Sequence, residues 1–254
     1  MLFPLAVITL LISATVFAIV RFALPLDRER PVVLTSEPDL PKPFGPSMAW
    51  IAVRSSDRAR IAEILELQGA LEANWDAGVG TIYDGELGDT HIFISPPVKG
   101  YTFIAGVPLP LPVGRGFIDK LTPLLAKLGE EFKEVQYFAS FPVIDFYAWA
   151  RIDNRRMARA FAIGDEGVIW DRGRLTPEER ALGLKLFEVR GIRGRKGDTG
   201  EAIILHPTEG QVLRMACGWS LDPSAIERVK AEPATGLVAR APSSWRSERL
   251  RKAA

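Results

Sequence analysis

The chain has 254 residues, 32 Lys and Arg against 31 Asp and Glu, and a formal net charge of +1. That balance excludes the strong overall field that steers a protein surface to nucleic acid, so no specific nucleic-acid partner is expected. A single cysteine, Cys217, excludes an internal disulfide and fits a reducing compartment.

The sequence opens MLFPLAVITLLISATVFAIVRFALPLDRERP, with no charged side chain from Leu2 to Val20. Crossing a hydrocarbon core of about 30 Å takes about 20 apolar residues of helix, because backbone groups without water must bond within the helix. The run meets that length, lacks the basic start of an export signal, and holds its one tolerable cleavage triplet, Val16-Phe17-Ala18, inside itself. Residues 1–26 are therefore expected to be an uncleaved transmembrane anchor with membrane lipid as its partner. Arg21, Arg28, Arg30 and Lys42 all follow the span, and basic residues stay on the cytoplasmic side. The expectation is a single-pass membrane protein with its large domain in the cytoplasm. Residues 27–46, with Pro31, Pro38, Pro41, Pro43 and Pro46, read as an extended tether rather than core, since proline fixes φ and removes donors. A soluble domain over 47–240 and a basic tail over 241–254 complete the organisation.

Met48 to Val53 is apolar and compact and reads as a buried strand. In SSDRARIAEILELQG, Ser56 or Asp57 caps a helix with Ile61, Ile64 and Leu65 on one face, ended by Gly69. HIFIS (His91 to Ser95) and YTFIA (Tyr101 to Ala105) predict a hairpin with a long loop. Phe117, Leu121, Leu124, Leu125 and Leu128 keep helical spacing, and Pro123 predicts a kink or a fresh start capped by Thr122. Between Val143 and Ile163 side chains alternate across the turn Asp153-Asn154-Arg155-Arg156, and Gly167 to Trp170 adds a third strand to form a meander. Thr176, Pro177 and Glu179 stand as N-cap, first-turn proline and capping-box partner. Thr208 with Gln211, and Asp222 with Pro223, mark further starts in a mostly helical carboxyl end. Strands in antiparallel neighbours, with helices before, between and after them, predict an α+β domain: an antiparallel sheet with helices packed on one face.

The strings EVQYFASF, YAWARI, MARAFAIG, TPEERALGL and ACGWSLDP resemble an uncharacterised bacterial family with Trp-Ala-Arg, Arg-Ala-Phe and Trp-Ser-x-Asp-Pro landmarks, TPEER standing where that family carries Pro-x-x-Glu. The resemblance covers most of the chain after the tether and implies no activity and no catalytic residue.

Zinc needs convergent Cys and His ligands, and His91, His206 and Cys217 lie far apart without ligand-spaced partners, so no metal is expected. YDGELGDTH brings Asp84, Glu86, Asp89 and His91 together without full calcium-loop spacing; it reads first as a solvated turn and second as a hydrolase-like site on Asp84, Glu86 and His91. No Ser sits in a nucleophile elbow, Cys217 reads as a packed thiol, and Gly78 to Gly80 lacks the strand-turn-helix frame of a phosphate cradle. No cofactor is expected. Trp50, Trp75, Trp149, Trp170 and Trp219 read as core residues with one wet edge. Arg193, Arg195 and Lys196, interleaved with glycines, read first as an exposed, solvated insertion and second as a basic loop that a polyanion could order. The tail around Trp245, Arg246, Arg249, Arg251 and Lys252 reads first as a solvated, frayed terminus and second as a contact for anionic lipid. Asp145, Tyr147, Trp149 and Arg151 share a strand face by alternation, with Arg159 opposite, which makes the meander face the leading binding surface, alternatively an exposed cross-strand ion pair. These features predict a membrane-tethered, non-catalytic domain that binds another protein or a small ligand, with the hydrolase as the alternative.

Overall fold

A computed structural model describes residues 34–114, 116–165, 167–183 and 206–248. The apolar run, the loop with Arg193, Arg195 and Lys196, and the tail beyond Glu248 lie outside the described residues. Strand β1 (Ala49–Val53) is buried at all five positions, and a strand without a polar side needs cover on both faces. Ala49, Ile51 and Val53 enter one apolar cluster while Trp50 and Ala52 enter another, so β1 lies inside a sheet with two covered faces.

The other strands are β2 (Gln68–Asn74), β3 (His91–Ile94), β4 (Thr102–Ala105), β5 (Glu134–Phe141), β6 (Phe146–Asp153), β7 (Arg156–Gly164), β8 (Gly167–Gly173) and β9 (Thr235–Arg240). They form one nine-stranded open sheet in the order β2-β9-β3-β4-β1-β5-β6-β7-β8, with every neighbour antiparallel. The predicted hairpin is β3 and β4, and the predicted meander is β6 to β8. Strands β2, β5 and β9 are additions to the sequence reading. The mostly helical carboxyl end is corrected by β9, which slots between β2 and β3.

Helices α1 (Arg58–Ile64) and α3 (Leu121–Glu131) send Ile61, Leu121, Leu125 and Leu128 onto the Ile51 face. Helices α2 (Trp75–Tyr83) and α5 (Glu209–Trp219) send Trp75, Ile82, Val212, Met215 and Trp219 onto the Trp50 face, where the short α4 (Pro177–Ala181) joins them. Helices on both faces correct the one-face expectation. The order of helices along the chain carries no information about face; that information lay in β1 and β5, which are apolar or buried at both odd and even positions.

Local starts follow the sequence closely. Asp57 accepts from Arg60 N–H at 2.9 Å, and both capping boxes, Thr176 with Glu179 and Thr208 with Gln211, are formed. Helix α1 stops at Leu65, before Gly69. Thr122 is not the cap of α3: the helix starts at Leu121, Asp119 accepts from Thr122 N–H at 2.9 Å, and Pro123 sits in the first turn, where no intrahelical donor is lost. Phe117 falls outside the helix.

The stretch read as tether is folded from Leu34 onward. Asp39 accepts from the N–H groups of Trp75 at 2.6 Å and Asp76 at 3.0 Å, placing a carboxylate at the start of α2. Phe44 is buried, and Tyr83 donates to Pro46 O at 2.9 Å. Prolines here deny the segment a ladder, and side chains hold it down instead. Beneath it, the Phe93 ring lies so close to Gly78 and Gly236 that neither position has room for a Cβ.

Candidate functional site

The meander face is core, not surface. Tyr147, Trp149 and Arg159 are buried, and α5 packs over β5 and β6. Asp145 is not on β6 at all: it closes the 3-10 turn Pro142–Ile144 with a left-handed φ of 48° and is exposed. Alternation identified a shared face correctly and could not say that a distant helix covers it.

What that face holds is a network of charges at its buried end. Arg159, 1% exposed in its side chain, places Nε 2.7 and 2.8 Å from the two carboxylate oxygens of Glu179 and Nη1 2.6 Å from Asp171. Trp149 Nε1 donates to the same Glu179 at 2.9 Å, and Glu179 also accepts from Thr176 N–H at 2.8 Å. The cross-strand neighbour Arg151 meets Glu134 at 3.2 Å; Glu134 also takes Arg54 at 3.3 Å and the amide of Gln136 at 2.8 Å. Two adjacent guanidinium groups are thus neutralised by separate carboxylates, which replaces the exposed cross-strand pair by a buried one. The Trp-Ala-Arg, Arg-Ala-Phe and TPEER strings meet at this point, and Trp219 joins them through Glu178 at 3.2 Å. Their role here is to fasten α4 and α5 to the sheet.

Asp84, Glu86 and His91 serve a turn. Asp84 Oδ1 accepts from the N–H groups of Glu86 and Leu87 at 2.8 Å each, an Asx-type closure. His91 Nδ1 lies 2.9 Å from Thr90 Oγ1 and 3.2 Å from Leu87 O. Among the described residues no three His, Cys, Asp or Glu side chains are grouped as metal ligands. Cys217 is exposed on α5, correcting the packed-thiol reading: the buried set Val212, Met215, Ala216 and Trp219 leaves it on the outer side.

A cavity lies at the other end of the sheet. It is an open groove of about 1070 Å³ on the Ile51 face, where β4, β7 and β9 end and β3, β6 and β8 begin. One wall is Val107 to Val113, in which Pro108, Pro110 and Pro112 prevent pairing and hold the chain extended. Tyr137 anchors that wall by donating to Pro110 O at 3.2 Å; full burial pushes its hydroxyl well above the usual tyrosine range. The facing wall is Arg240 to Ser247, where a 3-10 turn at Ser243–Trp245 buries the Trp245 side chain. Trp245, read as part of a solvated tail, is a core residue and a groove wall. Phe117 and Ile118 close one end, and Ile118 N–H donates to Glu248 O at 2.8 Å. Leu109, Leu111, Phe146 and Ile169 give an apolar interior, with Asp89, Asp165, Lys120 and Arg246 at its polar margin. Neither histidine nor cysteine lines it among the described residues. The groove suits an apolar body flanked by polar groups, and its residues had no motif to announce them; the alternating Pro and Leu of VPLPLPV was the one local signal.

No protein-family model, curated protein or solved structure matches the chain. Among the described residues no helix is long and apolar enough to cross a membrane.

Proposed function

We propose that the chain is a membrane-tethered, non-catalytic binding module that takes an apolar polypeptide segment into the groove between Val107–Val113 and Arg240–Ser247. The groove carries this reading: its volume of about 1070 Å³ lies just above the range of binding clefts of about 300–1000 Å³, and its walls combine apolar side chains with polar groups at the margin. Prolines along one wall lack backbone donors, so recognition falls to side-chain shape rather than strand addition. The meander face is covered by α5, the Asp84 carboxylate closes its own turn, and none of Asp84, Glu86, His91, Tyr147, Trp149, Arg151 and Arg159 lines the groove. The anchor at 1–26, its lipid contact and a cytoplasmic domain complete the proposal, supported by the charge-free run and the basic residues that follow it.

Photo-crosslinking tests the groove. With benzoylphenylalanine at Phe117 in the full chain, light is expected to yield discrete polypeptide adducts that the same label at Arg155, in the turn at the far end of β6, does not. Identical patterns or none at Phe117 overturn the reading. Carboxyl-terminal fusions to one reporter active only outside the cytoplasm and one fluorescent only inside test the compartment; fluorescence alone is the expected result.

A further inference from the structure

Nine large apolar side chains are exposed among the described residues; Val107, Phe117 and Ile118 line the groove, and Val143, Ile144 and Val168 lie within three residues of its lining side chains Phe146 and Ile169. Val143 and Ile144 stand apart, 96% and 58% exposed, at the tip joining β5 to β6. Ladder pairing runs to Phe141 opposite Phe146, so the four-residue connection has no slack to fold these side chains back into the groove beside them. The tip is a rigid apolar knob next to an apolar groove on one chain.

Charge decides between partners. Asp145 follows the knob directly and is exposed, and Asp165 lies at the groove margin. An anionic lipid surface repels both. Arg246, also at the groove margin and exposed, forms no ion pair among the described residues, and neither does Asp145. An apolar knob with an acid behind it therefore complements the part of the groove margin that carries the exposed base Arg246, Asp89 and Asp165 being the acids of that margin. A surface carrying both halves of a complementary pair closes by two-fold symmetry, each copy giving and receiving the same contact.

We propose that the occupant of the groove is the Val143–Ile144 knob of a second copy of this chain, with Asp145 of each copy facing Arg246 of the other. This deepens the groove reading and rests on it.

The test uses full chains carrying Cys217→Ser, one with Val143→Cys and the other with Phe117→Cys, co-expressed with tags of different size and mildly oxidised. The expected result is a mixed 143–117 disulfide well above that from a partner with Arg155→Cys, reduced at least tenfold by Ile144→Ser with Asp145→Asn in the Val143→Cys chain or by Arg246→Gln in the Phe117→Cys chain. Because Ile144, Asp145 and Arg246 are exposed, these variants keep the fold. A mixed disulfide no stronger than the Arg155 control, or one indifferent to the substitutions, overturns the proposal. Polypeptide adducts from Phe117 that persist in that case leave the groove reading standing with a different partner, whereas their absence removes both. A photoreactive group at Val143 that labels only lipid assigns the knob to the bilayer and also overturns the proposal.

Discussion

Removing the Glu179 carboxylate leaves the Arg159 guanidinium, 1% exposed in its side chain, with Asp171 as its remaining charged partner and deprives Trp149 Nε1 of its acceptor. Losing one partner of a buried pair costs roughly 3–5 kcal/mol. Glu179→Ala is therefore expected to lose about that much in chemical denaturation, and combining it with Arg159→Met is expected to recover a part, because the guanidinium goes too. Its neighbour Glu178 gives a pH signature. Burial pushes its carboxyl up, but its own backbone N–H, Thr176, Trp219 and Arg151 together outweigh that and hold it below the ordinary glutamate value. A depressed folded value contributes stability that is complete above the unfolded value and is lost as pH falls through the folded one. Thermal melts between about pH 3 and 6 are expected to show a loss on the acid side that is smaller in Glu178→Gln. Equal acid slopes in the two proteins refute the assignment.

Helix α2 meets the sheet through Gly78 above the Phe93 ring, with Gly236 of β9 pressed on the same ring. Gly78→Ala gains helix propensity of about 1 kcal/mol, yet its Cβ has no room, and overpacking costs about 1–3 kcal/mol. The net expectation is destabilisation by denaturant titration, whereas the same change at exposed Gly80 of this helix, where nothing crowds a Cβ, stabilises. The chain wrote its helix starts legibly: Asp57, Thr176 and Thr208 with their partners are short-range chemistry, complete within four residues. Strand β2, QGALEAN, was illegible because it is a mostly exposed edge with Gly69 and no clean alternation. The groove was illegible for a different reason: Glu66, Phe117, Ile169 and Trp245 meet only after every strand is placed. Alternation grouped Tyr147, Trp149 and Arg159 onto one face, but burial by α5 depends on a helix far along the chain.

At the level of the whole sheet, β2 has β9 as its only strand neighbour among the described residues, and β9 is also the inner partner of β3. Amides of β2 are expected to exchange at least tenfold faster once Leu237→Pro breaks the inner ladder, while those of β6 and β7 keep their protection. Uniform acceleration across the sheet is the result that refutes local coupling. The same arrangement bears on how the polypeptide is made. A ribosome delivers β2 and β3 long before the strand that must lie between them, and in the finished sheet those two are two strand spacings apart, roughly 10 Å. Until Thr235 to Arg240 emerges, their facing edges can only wait or capture something foreign. The newborn chain thus passes through a vulnerable interval whose length is set by translation rather than by its own folding speed.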